Sequence, residues 1–131
     1  MTATTLKPQA MASINRQNIT SNATVATPTT QMGWSYCLQS SGASNITSKA
    51  ITFATAFSAA PIVIISYIGL KYTSAPTLIT DLTTGILADG LQAVFGADSI
   101  STTGFNASGK ASGNAGADTY RGFAWIAIGV I

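Results

Sequence analysis

The chain has 131 residues, enough for one domain with a substantial core, but only 8% of them are charged, against about 25% in ordinary soluble domains. Hydrophobic residues make up 47%, and Ser with Thr about a quarter, so the surface is built from hydroxyls, amides and small apolar groups, a composition suited to burial in an assembly. Six cations (Lys7, Arg16, Lys49, Lys71, Lys110 and Arg121) are scattered along the chain, and the four acids are all Asp, with no His. That excludes the concentrated basic face on which nucleic-acid binding depends and leaves acid–base catalysis without its usual His and Glu.

Residues 1–32 stand apart. Leu6, Met11, Ile14, Ile19 and Val25 lie singly among Thr, Ala, Asn and Gln, with Pro8 and Pro28 interrupting, so no helical period runs for more than a turn or two. Such a segment cannot fold alone, and the recurrence of single apolar residues predicts an extended arm whose five anchors are those side chains, laid along a partner. It lacks the continuous apolar stretch of a signal peptide, so export by the general route is not expected.

The folded domain is expected over 33–131. Trp34, Tyr36 and Leu38 alternate and share one face of a first strand over Gly33–Gln39. Cys37 between them stands alone; it cannot close an internal disulfide, which points to assembly in a reducing compartment, and it reads as a small apolar strand residue. A second strand spans Ile46 to Phe53, and Pro61 opens a third, Ile62 to Leu70. The apolar run from Ala59 to Leu70 covers about half of the ~20 residues that cross a bilayer, so a buried strand is expected there and no membrane insertion. Shorter strands are predicted at Thr77–Leu82, Leu91–Phe95 and Ser99–Phe105, then a glycine-rich loop from Asn106 to Asp118, then a final strand from Arg121 to Ile131. Short strands with Gly, Ser, Asn and Asp turns indicate an all-β fold, an antiparallel sandwich of about six strands.

Two strands are apolar on both faces. Ile62, Ile64 and Ile68 alternate with Val63, Ile65 and Tyr67, and Phe123, Trp125 and Ala127 alternate with Ile126, Ile128 and Val130. A sheet in a lone two-layer sandwich keeps one polar face for water, so these strands predict a further layer of protein, most simply another copy of the chain.

Chemistry is sparse. Asp81, Asp89, Asp98 and Asp118 all sit near predicted turns, where Asp bonds local backbone, and no Asp-x-Asp pattern supports a metal; neither cofactor nor metal is expected. Gly104 to Lys110 matches the glycine and lysine spacing of a phosphate loop, but Ala111 replaces the magnesium-binding hydroxyl and no helix can start at Ser112-Gly113-Asn114. Of eleven aromatics, Trp34, Phe53, Phe57, Phe105, Phe123 and Trp125, with Pro61, read as core or interface residues. Tyr72, Asp118, Tyr120 and Arg121 read as an exposed face able to stack and hydrogen-bond a ligand such as a sugar.

The order of landmarks, Gly33-Trp34, then Phe53, Phe57, Pro61 and Val63 at the spacing F-x3-F-x3-P-x-V, then Thr103-Gly104-Phe105, then Trp125-Ile126-Ala127-Ile128-Gly129, resembles the H-type lectin-like domain over about residues 33 to 131. The resemblance implies a six-stranded sandwich that forms trimers and occurs in bacteriophage fibres and adhesion proteins. It leads to an expected non-enzymatic virion surface protein, a head fibre, decoration protein or tail-fibre module, assembled in the host cytoplasm. Its partners would be itself, other virion proteins through residues 1–32, and a host-surface glycan. The alternative it implies is a free carbohydrate-binding lectin.

Overall fold

Period-two patterning of side chains draws the described residues into six strands. The computed structural model describes residues 28–82 and 90–131; the expected anchors Leu6, Met11, Ile14, Ile19 and Val25, and Asp89, lie outside the described residues. The strands are β1 (Thr29–Gln39), β2 (Asn45–Thr52), β3 (Ile62–Tyr72), β4 (Ala93–Asp98), β5 (Gly104–Ala111) and β6 (Thr119–Gly129). They form two three-stranded antiparallel sheets, ordered β1-β6-β3 and β2-β5-β4. Strands β1 to β4 alternate between the sheets, so the two layers are stitched together by successive crossings; only β4 and β5 form a hairpin within one sheet.

The layers meet over an aromatic core. Residues 119, 121, 123, 125 and 127 of β6 all point inward, as do Cys37 and Gln39 of β1. Phe53 packs edge-on against Phe57 at 5.0 Å between ring centres and lies 5.8 Å from Trp125, which meets Phe105 at 5.6 Å. Towards the β3–β4 side, Phe95 bridges Tyr67 and Phe123 at 6.1 and 5.2 Å. Phe53, Phe57, Pro61, Phe105, Phe123 and Trp125 are all buried.

Four local expectations are corrected. Strand β1 begins at Thr29, ahead of Gly33, because residues 29–32 pair in register with Gly129 to Ile126 of β6. Its alternation is as expected, and the structure supplies the phase: Cys37 and Gln39 are buried, while Trp34, Tyr36 and Leu38 are half-buried on the sheet's outer face. Position Thr77–Leu82 is no strand but a turn and a short 3-10 helix, Ile79–Asp81, held by the Asp81 carboxylate, which accepts hydrogen bonds from the Thr77 and Leu78 amides at 2.8 and 3.0 Å. The strand expected at Ser99–Phe105 begins only at Gly104, with 99–103 forming the β4–β5 turn, and half of the expected glycine-rich loop, residues 106–111, continues it as β5, the centre of the second sheet. Its inward residues after Phe105 are small because the aromatic rings take up the space; a Cβ at Gly109 would press on the Phe95 ring.

Candidate interaction surface

The two outer faces of the sandwich differ in chemistry. On the β2-β5-β4 sheet, Asn106, Ser108 and Lys110 of β5 point outward beside Asp98 of β4. The Ser108 and Ser99 hydroxyls donate to the Asp98 carboxylate, and they hold it below the usual carboxylate range. Apart from Val94, which is exposed opposite Lys110, this is the polar, wet face a sandwich normally presents.

The outer face of β1-β6-β3 is apolar. Register aligns its side chains in cross-strand rows: Thr30, Ile128 and Ile62; then Met32, Ile126 and Ile64; then Trp34, Ala124 and Ser66. Met32 and Ile62 are each 68% exposed, Ile64 56% and Ile126 36%. No charged side chain occurs in these three rows. A shallow cavity of about 130 Å³ lies among Ile64, Ser66, Ala124, Trp125 and Ile126, where the short Ala124 and Ser66 side chains leave a dip between the isoleucines.

Beyond these rows the chain covers itself. Gly122 continues the outward series of β6, and a Cβ there would land on Leu82 Cδ1, so Leu82, directly after the 3-10 helix, lies over this end of the sheet. The glycine is what lets Leu82 approach. A shift of register in β3 between Tyr67 and Gly69 accompanies this change. Further along, Tyr120 sits opposite Leu38 and Lys71, its ring edge-on to Tyr36 at 5.8 Å. Lys49 reaches from β2 to place its ammonium 4.0 Å from the centre of the Tyr36 ring, a favourable cation–π contact.

The expected ligand face does not assemble from its four residues. Arg121 is fully buried: Nε donates to Gln39 Oε1 at 2.6 Å and Nη1 to the Tyr67 hydroxyl at 2.9 Å. Gln39 passes the connection on, its Nε2 donating to the Ala43 and Gly113 carbonyls at 2.7 and 3.0 Å. Arg121 therefore ties the core to two loops instead of meeting a ligand. The signal was in the period, since Arg121 shares its phase with Phe123, Trp125 and Ala127. Asp118 is exposed but accepts from the Ser41 amide at 2.9 Å, a bond between residues 77 apart that ties the β5–β6 loop to the loop after β1, in place of the local turn bond expected of it. Tyr72 lies exposed at the end of β3, and Tyr120 is half-buried on the outer face.

The remaining chemical candidates have local structural roles. Burial pushes the Cys37 thiol up to about 11, with nearby Lys49 opposing the shift. Gly104–Lys110 is strand, with Lys110 exposed on the polar face. Among the described residues, no three His, Cys, Asp or Glu side chains gather to hold a metal. Among the same residues, no helix is long and apolar enough to cross a membrane. No family model and no curated protein matches the sequence.

Proposed function

We propose that this chain is a non-enzymatic structural subunit of a bacteriophage particle, a homotrimer of β-sandwich domains exposed on the virion as a head fibre, decoration protein or tail-fibre module. The observation that carries this reading is the uncharged apolar part of the outer face of β1-β6-β3, the three rows from Thr30 to Trp34, set against a largely polar opposite face. A monomer in water has no use for Met32, Ile62 and Ile64 standing exposed together. Low charge and the resemblance to the H-type lectin-like domain supply the phage context, with Phe53, Phe57 and Pro61 of its opening spacing buried in the core. Residues before β1 serve as the anchor to other virion proteins, the particle being assembled in the host cytoplasm.

A free carbohydrate-binding lectin is the second reading, favoured by the neighbouring Tyr36 and Tyr120 rings with Lys49 and Lys71 beside them, which suit stacking and hydrogen bonding to a glycan. On the virion reading the same cluster contacts a host-surface glycan. Removing residues 1–27 separates the two. A virion subunit keeps its trimeric mass in light scattering but no longer enters particles, whereas a free lectin keeps its glycan binding and never enters them.

A further inference from the structure

The apolar outer face carries a projection and a recess on opposite sides. Met32, on the edge strand β1, is the most exposed side chain of its row. The recess floored by Ala124 and Ser66 lies on the β6–β3 side of the same face, walled by Ile64 and Ile126. A flexible thioether is the side chain best able to fill an irregular apolar gap. Because projection and recess are displaced from each other, a copy can seat its Met32 in one neighbour's recess while its own recess receives the Met32 of another. Such a head-to-tail contact closes into a ring when its rotation allows.

Area favours the ring over a simple pair. The three open rows span about 18 Å along the strands and about 14 Å across them, roughly 250 Å² in plan, from the usual strand rise and spacing. Two such faces laid together bury about 500 Å², below the ~1,000 Å² that a specific complex needs. In a ring each copy also brings its flanks into contact, and both flanks of this sheet, the outer edges of β1 and β3, have no ladder partner among the described residues. Charge does not oppose the arrangement, since Lys49 and Lys71 lie at the other end of the sheet beyond Leu82.

We infer that Met32 of each copy seats in the Ala124–Ser66 recess of the next, and that this heterologous contact closes three copies into the trimer; the inference rests on the trimeric reading above. The test is light scattering of the full chain and of Met32→Lys, Ser66→Asp and the double variant, with circular dichroism to verify strand content. Each single variant is expected to raise the dissociation constant of the trimer at least tenfold and run as a monomer. The double variant recovers the trimer, because the two new charges then face each other. Val94→Lys, at a position as exposed as Met32 but on the opposite sheet, remains trimeric. Single variants that stay trimeric, or a double variant that does not recover, overturn the Met32 contact while leaving the trimer standing. A dimer, or a polymer that grows with concentration, overturns the ring. A monomeric wild-type chain removes the trimeric reading itself, and the contact with it.

Discussion

Trp125 lies where the two aromatic groups of β6 and the β2–β3 connection meet, against Phe53 and Phe105 and below Gly33, whose missing side chain makes room for the indole. Trp125→Ala leaves a large cavity and is expected to cost about 3–5 kcal/mol, read as a fall in the denaturation midpoint. Arg121 presents the opposite problem, a buried charge whose hydrogen bonds must be kept. Gln39→Leu removes the carbonyl that receives its Nε and frees the loop carbonyls of Ala43 and Gly113. A loss of about 1–3 kcal/mol in chemical unfolding is expected, since a buried donor is left short of a partner. Cys37, with its thiol near 11, holds on the order of one thiolate in a thousand at pH 8. A thiol reagent should therefore label the native protein no faster than it opens, and label the denatured chain at once.

At the scale of elements, the turn at residues 77–82 after β3 owes its shape to one carboxylate. Asp81 is held below its ordinary value, first by the Leu78 amide and then by the Thr77 amide. A carboxyl whose folded value is depressed contributes stability above its unfolded value of about 4 and loses it as pH falls through the folded value. Acidification below about pH 4 is thus expected to loosen residues 77–82 and lift Leu82 from Gly122. Faster amide exchange at Thr77 and Leu78 before any change in β5 and β6 is the outcome to look for; unchanged protection there would remove Asp81 from this role. Strand β5 shows why elements can escape a reading of pattern. Ala107, Gly109 and Ala111 have little intrinsic preference for strands, and they form one because strands β2 and β4 pair on both sides and Phe95 needs the space above Gly109.

For the whole molecule, the association proposed through the outer face would make folding and assembly one equilibrium. The apparent melting temperature of the full chain is expected to rise with protein concentration, as it does whenever partner subunits bind only the folded state. A melting temperature independent of concentration over two decades would mean that the folded domain stands alone. Substituting Lys110 by Ala is expected to leave both the midpoint and its concentration dependence unchanged, because that side chain is exposed on the polar face away from the rows that include Met32 and Ile64.

The all-β class, most strand positions and the two-sided character of β3 and β6 were legible in the residues, because alternation with period two is a local property that the chain carries wherever it sits. The same alternation put Ile62 and Ile64 on one face and Val63, Ile65 and Tyr67 on the other, and the register shift at Tyr67–Gly69 interrupts it only beyond that point. Which face turns inward was not local. Trp34, Tyr36 and Leu38 look more like core than Cys37 and Gln39 do, yet β1 takes its phase from the ladder with β6, where Cys37 stands opposite Arg121 and both must face the interior. The ligand face failed for the same reason, since an Arg reads as surface until a partner such as Gln39, 82 residues away in the chain, is brought to 2.6 Å. Alternation thus belongs to the sequence, whereas the choice of buried face, the covering of Gly122 by Leu82 and the recess beside Ala124 arise only when distant strands pair and their side chains compete for the same volume.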